Sequence, residues 1–280
     1  MHWVGGNGAP RIAFDTWGTP GAPWVLLLHG AGQTRHAWKG TGEKLAQAGW
    51  QVAAFDARGH GDSDWAVDGN YSYEAMAADL RSLAQSLSAE RPAVVGASLG
   101  GGTALVALAQ GWIDASALVL VDVAPHIEQS GVQRVRKFMD QAPAGFDSLK
   151  SVADAIASYQ PQRTRPRQLD GIAKNVRIGK DGRYRWHWDP AYRASHLDLQ
   201  RRRDLLSNCA RLITAPTLLV RGMLSDLLSE EGVRDFKQLC PHSEYVSVSD
   251  AAHMVAGDRN EIFARSVIEF LARAAPPGAR

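Results

Sequence analysis

The sequence predicts an α/β protein: a mostly parallel central sheet flanked by helices, interrupted once by a mostly helical insertion. Three observations carry this. The apolar runs 24–28 and 92–95 and the strand-like stretches 51–55 and 117–123 alternate with stretches of helical periodicity on short connections, as strands of a parallel sheet buried on both faces do. The alternation stops after Val123 and resumes at Thr217, which marks an inserted module. Charge divides at nearly the same places. Residues 126–211 hold 17 Lys and Arg against 9 Asp and Glu, whereas the whole chain of 280 residues carries only +2, so the remainder is acidic.

Taken in order, 11–17 reads as an early strand closed by Gly18-Thr19-Pro20-Gly21. The strand 24–28 ends in His29-Gly30-Ala31-Gly32, and a helix over 37–48 stops at Gly49. The strand 51–55 runs into Asp56-Ala57-Arg58-Gly59-His60-Gly61-Asp62-Ser63. Met76, Leu80, Leu83 and Leu87 stand at helical spacing within 73–87. A strand enters Ser98, a helix over 103–110 leaves it, and the strand 117–123 follows. The insertion shows helices at 132–141 and 148–159, a proline- and arginine-rich piece at 161–167 and an aromatic piece at 184–190. Beyond it come a strand at 217–220, a helix at 230–239, a strand at 244–248 and a last helix at 259–272. The expected division is a core of 1–125 and 212–280 with a helical lid of 126–211.

Composition bounds the function. Hydrophobic content of 45% suits a soluble globular protein, and no apolar run is long enough to span a bilayer. The start, Met1-His2-Trp3-Val4-Gly5-Gly6, lacks the basic-then-apolar pattern of a signal peptide, so a cytoplasmic location is the default expectation. The near-balanced charge argues against nucleic-acid binding as the main role. Cys209 and Cys240 form neither a disulfide framework nor a metal spacing, and His-Glu-x-x-His is absent. No metal or organic cofactor is expected. The expected partner is a small-molecule ester or lactone, with no membrane partner, on a monomer or homodimer. The basic excess of the insertion reads as a solvated surface, with steering of an anionic substrate as the alternative.

The chemistry centres on Gly96-Ala97-Ser98-Leu99-Gly100. A serine at a sharp strand-to-helix turn takes a strained backbone, and glycine two positions either side removes the steric conflict. The helix start then favours negative charge developing beside the hydroxyl. A serine needs a base, and the base needs an orienting acid. In the order serine, acid, histidine, the base is His253, in the loop after 244–248. The expected acid is Asp226, after the strand 217–220; Asp122, at the end of 117–123, could also reach the histidine. Asp250 more simply holds its own loop. The N–H groups of Ala31 and Leu99 are the expected oxyanion donors. Trp186, Trp188, Tyr159 and Trp38 are candidate substrate-lining residues, although Trp38 could instead pack beneath the pocket.

Together the His-Gly turn at 29–30, Asp-x-Arg-Gly-His-Gly-x-Ser at 56–63, the turn at 96–100, Arg-Gly-x-x-Ser-Asp at 221–226 and Ala-His at 252–253 resemble capped α/β-hydrolases. That group includes bacterial esterases, lactonases, carbon–carbon bond hydrolases and epoxide hydrolases. The resemblance implies that 56–63 is a structural turn, so His60 is not expected to be catalytic. Relatives that attack alkyl carbon carry aspartate where this chain has Ser98, which implies acyl chemistry instead. A carboxylic ester hydrolase is the expected function. A carbon–carbon hydrolase of vinylogous diketones, a small-molecule receptor on the same fold, and peracid formation as a side activity stay open.

Overall fold

The computed structural model of the protein describes residues 1–6, 8–159, 170–194, 198–249, 251 and 260–277. The stretches read as strands form β3 (Trp24–Leu28), β4 (Gln51–Phe55), β5 (Ala93–Ala97), β6 (Ala117–Val121), β9 (Thr217–Gly222) and β10 (Glu244–Val248). With β1 (His2–Gly6) and β2 (Ala9–Trp17) they make one eight-stranded sheet, ordered β1-β2-β4-β3-β5-β6-β9-β10. The β1–β2 and β2–β4 pairs are antiparallel, and every later pair is parallel. The sequence pattern left β1 unmarked because it holds only two apolar residues, Trp3 and Val4, before Gly5-Gly6.

Side-chain alternation along the strands divides the core in two. Leu26, Leu28, Val94, Leu118, Leu120 and Leu219 face one layer, where α2 (Tyr73–Ser86), α3 (Leu99–Ala109) and α9 (Glu230–Leu239) pack through Leu80, Leu83, Leu105 and Phe236. Val25, Leu27, Val95, Val119 and Val220 face the other, against Leu45 of α1 (Lys39–Gln47) and Phe263, Val267 and Phe270 of α10 (Asn260–Ala274). Ser72 caps α2 and Ser229 caps α9, each hydroxyl accepting a backbone N–H three residues on. Among the described residues no helix is long and apolar enough to cross a membrane.

The insertion is the connection between the neighbouring parallel strands β6 and β9. It holds α4 (Gln129–Met139), α5 (Leu149–Tyr159), α6 (Asp170–Ala173), the hairpin β7 (Val176–Ile178) and β8 (Tyr184–Trp186), α7 (Pro190–Ala194) and α8 (Leu199–Leu212). The hairpin had a sequence signal in Asp181-Gly182, a pair that favours tight turns. Met139, Phe146, Val152, Trp186 and Trp188 form the insertion's own apolar cluster. Leu206, Cys209 and Ala210 of α8 pack instead into the first layer of the core.

The segment 56–64 is the platform on which the insertion rests. Gly61 N donates to His187 Nδ1 (2.7 Å) and Asp189 N to the Gly59 carbonyl (2.8 Å). Arg177 donates to the Gly61 carbonyl, and Tyr71 donates to Asp189. Below the platform, buried Arg35 joins Asp56, Asp62 and Asp15, and Arg58 pairs with Asp79 (2.6 Å). A second fastening lies at the insertion's entry. The buried Arg202 of α8 donates to the carbonyls of Ala124 and Pro125 and to the Tyr73 hydroxyl.

Candidate active site

Ser98 stands where β5 ends and α3 begins, with φ 46° and ψ −108°, a conformation costing a non-glycine residue of order 1–3 kcal/mol. The flanking glycines explain how the chain tolerates it. A Cβ on Gly96 would lie 2.6 Å from the Gly100 carbonyl, and one on Gly100 would lie 2.5 Å from the Leu28 carbonyl oxygen. Ser98 N donates to the Val121 carbonyl (3.1 Å), and its hydroxyl does not cap its own helix. The side chain is thus lifted off the sheet at a helix N-terminus.

The turn after β3 closes one side. A Cβ on Gly30 would lie 3.4 Å from the Ser98 Cβ, so this turn runs directly beside the serine. Gly30 N donates to Gln33 Oε1 (2.8 Å), and the Gly30 carbonyl accepts from Gln33 N and His29 Nδ1. His29 Nε2 in turn accepts from Ala57 N (2.9 Å). That pair of bonds requires a neutral imidazole protonated at Nδ1, and burial drives its pKa down to about 4. With Gly30 locked, Ala31 follows on the side facing the insertion and packs against the aromatic cluster. Leu99 opens α3, so its N–H has no carbonyl partner within the helix.

Two carboxylates compete for the orienting role, and their environments differ. Asp122 is fully buried at the end of β6, has φ 51°, and donates its N–H to the Val220 carbonyl (2.7 Å). Its Oδ2 accepts from the Ser225 hydroxyl at 2.6 Å, and Ser225 Oγ itself accepts from Leu227 N and Leu228 N. Asp226, the acid expected from chain order, is half-exposed and accepts from Arg134 Nη1 of α4 at 2.8 Å. Arg134 also donates to the Tyr159 carbonyl and stands 5.4 Å over the Tyr159 ring. His253 and Asp250 lie outside the described residues. Ala251, between them, is described: it is buried, and its carbonyl accepts from Leu224 N (2.9 Å), beside the turn that carries Ser225.

The aromatic candidates separate. Trp186 and Trp188 stack 4.8 Å apart, and Phe138 stacks on Tyr159 at 4.4 Å. A Cβ on Gly32 would lie 3.4 Å from Trp188 Cζ3 and 3.7 Å from Met139 Cγ, so the cluster overhangs the turn beside Ser98. Trp38 instead packs beneath, in the second core layer, with its ring 6.0 Å from Phe263. Sequence reasoning passed over His187. Its ring lies 5.8 Å from that of His60, which lies 5.3 Å from His29, giving a buried column from the insertion to the serine-flanking turn. Burial, reinforced by mutual repulsion, drives His60 down to about 3 and His187 well below its usual value. The His60 Nδ1 donates to the Arg58 carbonyl (3.2 Å).

The family described as alpha/beta hydrolase fold matches residues 23–259. The chain belongs to the alpha/beta hydrolase fold family. Among its hydrolase relatives, esterase Rv0045c of Mycobacterium tuberculosis is 30% identical over 257 residues, covering 90% of this chain and 83% of the esterase. The sn-1-specific diacylglycerol lipase ABHD11 of Mus musculus is 27% identical, covering 89% and 81%. The structure of E-2-(acetamidomethylene)succinate hydrolase superposes with TM-score 0.81 at 25% identity, over 94% of this chain and 95% of that one.

Proposed function

We propose that the protein hydrolyses carboxylic esters or lactones of small molecules, with Ser98 as nucleophile. The observation that carries this is the strained Ser98, held between the Gly30–Ala31 turn and the start of α3. In this reading Ser98 Oγ attacks the carbonyl carbon while His253 takes the hydroxyl proton. The carbonyl oxygen becomes an oxyanion facing the N–H groups of Ala31 and Leu99, an arrangement worth about 3–4 kcal/mol per donor. Collapse breaks the bond to the alcohol oxygen, which leaves with the proton held by His253. Water, deprotonated by the same histidine, then attacks the Ser98 ester, and its collapse releases the acid and restores the hydroxyl. The names of the relatives, an esterase and a diacylglycerol lipase, point to the same bond.

Asp122 fits the orienting role better than Asp226. Its carboxylate is buried beside the turn that holds the chain leading to His253, whereas the Asp226 carboxylate is engaged by Arg134 at the edge of the insertion. The insertion serves as a cap: Trp188 and Met139 overhang Gly32 and would bound the acyl group and exclude water.

The test is turnover of p-nitrophenyl esters from acetate to decanoate, alongside labelling by a fluorophosphonate. Ser98→Ala abolishes both labelling and turnover. Asp122→Asn lowers kcat about 10⁴-fold, and Asp226→Asn changes it by less than about tenfold. Activity surviving in Ser98→Ala overturns the reading, and the reverse order of the two aspartates returns the acid role to Asp226.

A further inference from the structure

At the entry of the insertion, just beyond Asp122 in the chain, three metal-binding side chains converge. His126 follows the Ala124-Pro125 carbonyls that Arg202 holds. Glu231 and Asp235 stand one helical turn apart on α9, so both project from one face. One donor atom from each of the three lies within 4.8 Å of the other two. His126 Nδ1 is 2.8 Å from Asp235 Oδ2.

We propose that His126, Glu231 and Asp235 form a site for a first-row divalent transition ion of the zinc or cobalt type. The donor set decides the class. An imidazole with two carboxylates suits such ions, whereas calcium and magnesium take oxygen ligands alone. Bonds of about 2.1 Å place neighbouring donors roughly 3–3.5 Å apart. The His126–Asp235 pair, a hydrogen bond at 2.8 Å, has to open by only a few tenths of an ångström once its proton leaves, and Glu231, exposed on the first turn of α9, has the freedom to close in. Water fills the remaining positions.

The backbone around the donors is fixed before any ion arrives. Gly232 brings α9 so close to the His126 carbonyl that a Cβ there would lie 2.7 Å from the oxygen. Glu128 N donates to the Leu227 carbonyl at 2.8 Å. The occupant an ion must displace is Arg203 of α8, whose Nη2 donates to the same Asp235 Oδ2 at 3.0 Å. That pair is half-exposed on both sides, so solvent screens it and an ion displaces it readily. On binding, Nδ1 gives its lone pair to the ion, the ring proton resides on Nε2, and Arg203 turns to solvent. The ion then ties the start of the insertion to α9 of the core. The donors are 109 residues apart at their widest, which is why no local spacing in the sequence announces them.

Calorimetric titration of the intact protein with zinc, and the visible absorption of its cobalt form, test the proposal without reference to activity. One ion binds per chain. Affinity falls about tenfold or more in His126→Ala, falls also in the surface variant Glu231→Gln, and rises several-fold in Arg203→Ala as the competing cation is removed. Circular dichroism confirms that the variants are folded. Absence of any cobalt band in the wild type overturns the proposal. So does binding undiminished in both His126→Ala and Glu231→Gln, which would move the ion to another pair such as Cys240 with His242, 3.6 Å apart.

Discussion

Acidification should undo the fold through the histidine column, and the effect can be worked from the structure. His29, His60 and His187 are buried and neutral, with His29 near 4, His60 near 3 and His187 far below its usual value. An unfolded chain protonates the same side chains near 6.5. Between those limits the unfolded state binds more protons, so stability is complete above about pH 7 and falls as pH drops through 6.5. Each histidine contributes a loss of about 2 kcal/mol between pH 7 and pH 5, and the three together about 5–6 kcal/mol, comparable to the whole stability of many domains. Asp56 and Asp79 act in the opposite direction, because burial raises their carboxyls despite Arg35 and Arg58. A substitution isolates the histidine share. His187→Asn removes one titration while keeping an acceptor for Gly61 N. Urea unfolding followed by tryptophan fluorescence at pH 7, 6 and 5 should show the wild type losing about 2 kcal/mol more than His187→Asn over that range. Equal losses in the two proteins would refute the reasoning, as would a wild type whose stability is flat to pH 5.

Ser98→Gly should abolish turnover yet raise the melting temperature above that of Ser98→Ala, because glycine adopts φ 46° without a Cβ penalty; the expected gain is about 1 kcal/mol by thermal denaturation. Arg202→Ala should destabilise by about 3 kcal/mol, since the Ala124 and Pro125 carbonyls lose their buried donor. Chemical denaturation measures this, and Arg202→Lys should recover only part of the loss, a single ammonium being unable to span the carbonyls and Tyr73 together. Trp188→Ala opens space over Gly32 and should shift the preferred p-nitrophenyl ester to longer acyl chains, at a stability cost of about 3–5 kcal/mol.

What the sequence made legible was what neighbouring residues determine. The buried runs give β3 to β6 and β9 because each is apolar on both sides of the pleat. The Ser98 turn was readable because Gly96 and Gly100 must both be small for the chain to pass. Side-chain direction was another matter. Trp38 follows the same turn as Ala31, but the 3₁₀ segment Arg35–Trp38 delivers its ring into the second core layer. The choice between Asp122 and Asp226 depends on Arg134 from α4 and on Ser225 within a tight turn, and chain order carries neither. His187 sits in an aromatic piece that looked like cap filling. Its role emerges only because Gly61, 126 residues away, offers it a hydrogen bond.

The insertion leaves the sheet at β6 and returns at β9, and these two strands pair directly, Val121 beside Val220. Its ends are therefore anchored at adjacent points on a rigid base, whatever lies between them. Lengthening such an excursion adds closure entropy only logarithmically, about 0.6 kcal/mol for each doubling. The insertion can thus be exchanged, shortened or rebuilt across generations while β6 and β9 keep their register, so the length and content of this excursion are free to vary without disturbing the sheet.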